Sequence, residues 1–205
     1  MKPKVFGIGF SKSGTTSLDL MLRKFGWNVC HENMGDYDKN IAANLTDRMD
    51  DAAERYDAFQ VSPWCTMYGR YAQIYPDSKF ILTLRPLDKW LNSMSNFGDK
   101  TIPIWKPVYG RDRFHGNEIY FRDLYLNHTI NALDYFKSYP GRLLVIDIEA
   151  NPHALARSLE AFLGLSYTGI PFPHSNSSRR SKVMWFFKRW KWRELVRHAP
   201  SSDVN

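Results

Sequence analysis

The chain has 205 residues, 43% hydrophobic and 15% aromatic. That is enough apolar material for one α/β domain with one core, and too much for a disordered polypeptide. Two cysteines, Cys30 and Cys65, exclude a disulfide framework and a cysteine-built metal motif. A formal charge of +7 suits polyanions in general, RNA and anionic membranes included, and selects no function alone.

In chain order, the first predicted element is a strand over 4–9. A loop over 10–16 follows, then a helix over about 17–26 with Leu18, Met21, Leu22 and Phe25 at helical spacing. Asn28, Val29 and Cys30 form a short extended piece. Residues 33–56 are polar and helical in parts, with Tyr37, Ile41, Leu45 and Met49 spaced to cover a core edge. A second strand at 58–61 ends at Ser62-Pro63. A helix over 64–75 turns Met67, Tyr71 and Ile74 inward until Pro76-Asp77 breaks it. The strand at 79–84 does not alternate cleanly, which marks it as central and parallel. A helix over 87–96 follows.

Residues 98–114 are rich in Gly, Pro and charge and read as a long loop, either a site cover or a surface excursion. A long helix spans about 117–138, a last strand 142–147, and a helix 152–163, ending at Gly164. Alternating strands and helices of these lengths predict an α/β fold, a three-layer sandwich with a central parallel sheet flanked by helices. One domain is expected over 1–198, with a flexible tail over 199–205. The run from Val183 to Arg193 mixes bulky aromatics with cations and is predicted helical through about 197. It reads as a helix packed on the domain or as a peripheral membrane contact. No RNA-reading motif accompanies it, so no specific nucleic acid is expected. No long apolar span occurs and the start reads directly into a strand, so a cytoplasmic location is the expectation.

The strongest functional signal is the run Ser11-Lys12-Ser13-Gly14-Thr15-Thr16-Ser17 between the first strand and helix. A glycine turn of this kind aims backbone N–H groups at an anion, and the helix start adds its own unpaired donors. Lys12 adds positive charge, and Thr15, Thr16 and Ser17 add hydroxyls. Gly9 and Gly14 have the spacing of a Walker A loop, but Thr15 stands where that loop has lysine. The lysine sits inside the turn instead.

This run resembles the 5′-phosphosulfate loop of sulfotransferases that use PAPS (3′-phosphoadenosine-5′-phosphosulfate). The resemblance extends to Lys79–Ser93, where Arg85 at a strand end and Ser93 on the next helix match the pair that grips the 3′-phosphate. It extends again to Phe172-Pro173-His174-Ser175-Asn176. The closest look is to small bacterial-type sulfotransferase domains. Such a family implies transfer of a sulfuryl group from PAPS to a hydroxyl, with an amine ranked second, leaving PAP (adenosine 3′,5′-bisphosphate) and requiring no metal. It implies Lys12 as the electrostatic catalyst, and Ser11, Lys12, Ser13, Gly14, Thr15, Thr16, Ser17, Arg85 and Ser93 as cofactor contacts. Asn176 and the pair Arg179 and Arg180 would close over the nucleotide, although the family's Arg-Lys-Gly sequence is absent there.

The acceptor base departs from the pattern. Many relatives carry a histidine after the second main strand, where this chain reads Val61-Ser62-Pro63-Trp64. Another branch uses a glutamate beyond the first helix, and Glu32 and His31 occupy that place; Asp36 and His115 rank next. Trp64, Tyr68, Trp105, Tyr109 and Tyr120 fit an apolar acceptor wall and core packing equally well. A small-molecule, lipid or carbohydrate acceptor is expected, and the oligomeric state stays open. The alternatives are a non-catalytic PAP-binding protein of this fold and a P-loop kinase-like enzyme. The second lacks the usual Walker lysine and a Mg²⁺-binding set.

Overall fold

The structure, a computed structural model, describes residues 2–30, 45–96 and 105–173. Four parallel strands form its sheet: β1 (Val5–Gly7), β2 (Ala58–Gln60), β3 (Lys79–Leu84) and β4 (Leu143–Asp147), in the order β2-β1-β3-β4. Side chains along a strand point to alternate faces. Here both faces are apolar, so the sheet must be covered twice. Phe6, Phe59, Phe80, Leu82 and Leu84 belong to one buried cluster; Val5, Ala58, Ile81, Leu144 and Ile146 belong to the other.

Helices α1 (Thr15–Lys24) and α7 (Pro152–Phe162) cover the second face through Leu18, Met21, Leu22, Leu155, Ala156 and Leu159. The first face is covered by α2 (Leu45–Arg55), α3 (Tyr68–Ile74), α4 (Leu87–Ser95) and α6 (Glu118–Phe136). Its centre is Phe6, stacked on Phe59, Tyr71 and Phe80 at ring-centroid distances of 4.9, 5.0 and 5.3 Å. The expected three-layer α/β sandwich with a parallel sheet is therefore present, with β1 and β3 at its centre. The extended piece at 28–30 also forms: Val29 bridges to Ala58 in parallel. Its neighbour Cys30 donates its N–H to the Ala58 carbonyl at 2.8 Å.

Three local expectations are corrected. The first helix starts at Thr15 rather than 17, because Gly14 takes the left-handed turn (φ 93°) that ends the loop. The helix expected over 64–75 divides into a 3₁₀ turn at Trp64–Thr66 and α3, and Ile74 is 44% exposed instead of facing inward. Tyr75 takes its place, stacked on both Phe6 and Tyr71. Within the expected 98–114 loop lies a short helix, α5 (Trp105–Tyr109). Pro107 does not prevent it, because a first-turn N–H has no intrahelical acceptor to lose. Residues 174–205, which include the predicted C-terminal helix and tail, lie outside the described residues. No described helix is long and apolar enough to cross a membrane.

His128 on α6 ties this packing to β1. Its Nε2 lies 2.7 Å from the Ile8 carbonyl, to which it donates, and its ring stacks on Phe10 at 4.1 Å. Burial lowers its pKa from 6.5 to about 4, against the opposing pull of the Ile8 hydrogen bond. Above pH 6.5 the imidazole is neutral folded and unfolded. As pH falls from there towards 4, the unfolded chain binds a proton that the folded chain refuses, so stability is lost across that window. The loss reaches up to about 3 kcal/mol. Urea unfolding of the parent and His128→Phe from pH 7 to pH 4 checks this. The parent should lose more stability than the variant by about that amount; equal losses would remove His128 as the cause.

Candidate active site

The sheet order turns at β1: β2 lies on one side and β3 on the other. Loops leaving β1 and β3 therefore part over a crevice at the strands' carboxyl ends, the usual ligand position in such sheets. The β1–α1 loop lies directly against β3. Ser13, fully buried, donates to the Phe10 carbonyl at 2.6 Å, and its Oγ lies 2.9 Å from Thr83 Oγ1. A Cβ on Gly9 would stand 2.0 Å from that same Thr83 oxygen. Only glycine lets the backbone come this close.

Lys12 (φ 71°) and Gly14 (φ 93°) both adopt left-handed conformations, a costly choice for lysine. The effect is to reverse the chain sharply before α1. No side chain caps α1 and no acidic residue sits in its first turn. A helix start of this kind turns its first-turn N–H groups and the positive end of its dipole towards the crevice, where they favour an anion. Thr15 and Ser17 are buried here and Thr16 is exposed.

Arg85 follows β3 by one residue and stands at the same rim. Lys12 records its proximity: burial first, then the Arg85 charge, hold the Lys12 pKa below its ordinary value. Two cations on one rim beside a helix start can hold an anion carrying more than one charge. The buried Arg85 Nε makes no hydrogen bond among the described residues, with Glu149 Oε1 beside it at 3.4 Å as an ion pair only, so its donor capacity is not used up. Ser93 is buried on α4, two turns beyond.

The supports of this loop were not legible as such in the sequence. The Trp90 indole donates to the Ser11 carbonyl at 2.9 Å. The Tyr109 hydroxyl accepts from the Ser11 N–H at 3.2 Å and from Ser62 Oγ at 2.9 Å, and donates to Ser11 Oγ at 3.0 Å. Tyr125 accepts from the Arg85 N–H and donates to the Arg85 carbonyl, both at 2.9 Å. Burial raises the phenol pKa of Tyr109 and Tyr125, so both remain protonated donors. Ile148, after β4, packs under Gly14, where a Cβ would meet its Cγ2 at 2.6 Å.

The other predicted residues divide. Lys12, Ser13, Gly14, Thr15, Thr16, Ser17 and Arg85 gather at the crevice, while Ser11 is engaged with Tyr109 and Trp90. Trp64 and Tyr109 are buried at 2% exposure, which makes them core and loop support rather than acceptor wall. Tyr68 is half-buried, edge-on to His128. Tyr120 carries Arg111 over its ring at 4.4 Å. His115 sits between the end of α4 and the start of α6, with Nε2 3.1 Å from the Ser95 carbonyl and Nδ1 3.8 Å from Glu118. His31, Glu32, Asp36, Asn176, Arg179 and Arg180 lie outside the described residues, as does the Trp105 side chain. Among the described residues, no group of three or more His, Cys, Asp and Glu is placed to hold a metal ion.

Tyr109→Phe isolates the loop support. It removes one hydroxyl and leaves the Ser11 N–H and the Ser62 hydroxyl without their partner. Chemical denaturation should show a loss of about 1–3 kcal/mol. A loss below about 0.5 kcal/mol would mean that water replaces the hydroxyl at no cost.

No curated protein matches the chain. A solved structure described as a sulfotransferase from Alicyclobacillus acidocaldarius shares the fold with a TM-score of 0.55, at 18% identity over 89% of this chain and 87% of that one. Residues 4–111, more than half of the chain, match the family described as "Sulfotransferase domain". They span β1, the loop, α1, β3, Arg85 and α4, and on that match the chain belongs to the sulfotransferase family.

Proposed function

We propose that the protein transfers a sulfuryl group from PAPS to a hydroxyl of a small-molecule, lipid or carbohydrate acceptor, releasing PAP. The observation that carries this reading is the convergence of Lys12 and Arg85 beside the uncapped start of α1. The donor has two anionic ends, and the crevice offers a separate set of groups for each. The N–H groups and hydroxyls from Gly14 to Ser17 suit the 5′ end. The Arg85 guanidinium, with its unsatisfied Nε, and the Ser93 hydroxyl suit the 3′-phosphate.

PAPS, when bound, supplies the activated sulfur–oxygen bond. The chain's contribution is placement and charge. Lys12 presents its ammonium where negative charge builds on the leaving oxygen. Its proton affinity, lowered by burial and Arg85, recovers once an anion offsets the Arg85 charge. Tyr125 fixes the Arg85 backbone, and Trp90 and Tyr109 fix Ser11, so the backbone that carries both cations is held without a ligand. The acceptor's proton goes to Glu32 or His31, in the segment that follows the Val29–Ala58 bridge. The predicted contacts of Arg179 and Arg180 would complete the nucleotide's cover.

Calorimetry with PAP, 5′-ADP and ATP with Mg²⁺ tests the donor assignment. PAP should bind tightest. Preference for ATP with metal would favour the kinase-like alternative, and equal binding of PAP and 5′-ADP would remove Arg85 from the 3′-phosphate. Arg85→Ala should weaken PAP by about 1.5–3 kcal/mol, roughly tenfold to a hundredfold, and leave 5′-ADP little changed. Lys12→Ala should lower the transfer rate on the order of a hundredfold while changing PAP affinity far less.

Glu32→Gln and His31→Ala, made separately, test the base with a panel of alcohols, phenols, amines and glycans. The true base should show a lost rising limb in the pH–rate profile with PAP affinity intact. If neither substitution slows turnover more than about tenfold, Asp36 and His115 are next. PAP binding without transfer to any acceptor would support the non-catalytic alternative.

A further inference from the structure

Arg85 has a second neighbour that the donor reading does not use. Glu149, in the turn after β4, places Oε1 3.4 Å from Arg85 Nε, while its Oε2 pairs with Lys89 Nζ on α4. The Glu149 N–H is held by Asp147 Oδ1 at 3.0 Å, and Ile148 N–H by the Leu84 carbonyl at 3.0 Å. The carboxylate is thus brought to the Arg85 rim by the β3–β4 pairing. Burial works against its charge, but Lys89 and then Arg85 outweigh it and hold its pKa below the ordinary value.

A carboxylate beside a ligand-binding arginine can act as a clamp or as a competitor. A clamp would be aligned with the guanidinium and would be what fixes it. Here the Nε contact lacks hydrogen-bond alignment, and Nε stays buried and unsatisfied. The Arg85 backbone is held independently of Glu149, by Tyr125 on its N–H and its carbonyl. Lys89 meanwhile gives Glu149 a seat that survives the loss of Arg85. We infer that Glu149 competes with the ligand's anion for Arg85, yields it on binding while remaining on Lys89, and thereby speeds release of the 3′-phosphorylated product. The identity of that anion as a 3′-phosphate rests on the function proposed above.

The structure supplies a matched control. Asp88 is exposed in the first turn of α4, and Asp88→Asn removes the same charge without touching Arg85. PAP, 5′-ADP and inorganic pyrophosphate are titrated into the parent, Glu149→Gln and Asp88→Asn, with PAP dissociation followed by stopped flow. Glu149→Gln should bind PAP about fivefold tighter, the scale of one partly exposed ion pair. Dissociation should slow in proportion, while 5′-ADP should change less than twofold. Asp88→Asn should change neither nucleotide by more than twofold, and the gain from Glu149→Gln should vanish when Arg85→Ala is added.

Weaker PAP binding in Glu149→Gln would make the residue a clamp and overturn the inference. Equal tightening of PAP and 5′-ADP, or the same gain in Asp88→Asn, would reduce it to a general field effect and overturn it too. A parent that binds PAP and 5′-ADP alike would refute the donor reading by itself. The pyrophosphate titration then decides: a gain confined to Glu149→Gln keeps the competition, and none overturns it.

Discussion

The close approach of the β1–α1 loop to the end of β3 organises the rest of this site. Gly9 leaves no room for a side chain beneath Thr83, and the buried hydroxyls of Ser13 and Thr83 meet across the gap. Thr83 is two residues from Arg85. With the loop on Thr83, Lys12 and Arg85 belong to the same rim, close enough for the Arg85 charge to lower the Lys12 pKa. Two like charges brought near one another oppose folding; Glu149 beside Arg85 offsets part of that cost, and the function proposed above would turn the rest to use. The electrostatics of the crevice thus follow from a steric fact about one glycine.

Rigidity comes from aromatic side chains with polar tips. Trp90, Tyr109, Tyr125 and His128 arrive from three different helices, and each ends on a backbone group of the β1–α1 loop, of Ile8 or of Arg85. Each ring is packed in the apolar layer over the sheet while its N–H or O–H satisfies a group that has left the strand ladder. That combination makes such residues useful here: one side chain fills volume and also fixes a carbonyl or an amide. Trp90 and Tyr125 also stack on each other at 4.4 Å, which joins the support of Ser11 to that of Arg85.

The strands, the covering helices and the position of Arg85 at a strand end were legible in the sequence because each leaves a local pattern: an apolar run, a 3.6-residue period, or a glycine turn between strand and helix. The supports were not. An aromatic residue at helical spacing looks the same whether it only fills the core or also reaches a distant carbonyl. Nothing near Tyr109 in the chain points to Ser11, almost a hundred residues away. Its helix α5 was hidden by Pro107, which reads as a breaker until it falls in a first turn. Ile74 faces outward because Tyr75 offers the larger ring to Phe6, a choice made by tertiary packing. Glu149 had no signal at all, since an acidic residue after a strand is ordinary turn composition.

The bridge between Val29 and Ala58 has a consequence for how the molecule meets copies of itself. β2 ends the sheet, and an end strand offers unpaired N–H and carbonyl groups to any other extended chain. The segment after α1 occupies that position at Ala58: the Asn28 carbonyl takes the N–H groups of Asp57 and Ala58, and the Ala58 carbonyl takes the N–H of Cys30. The outer side of β2 at this point is already paired when the domain is complete. A stranger's strand would have to displace three hydrogen bonds and unseat Val29, which is fully buried. The same short hook that follows α1 also makes this edge a poor template for aggregation.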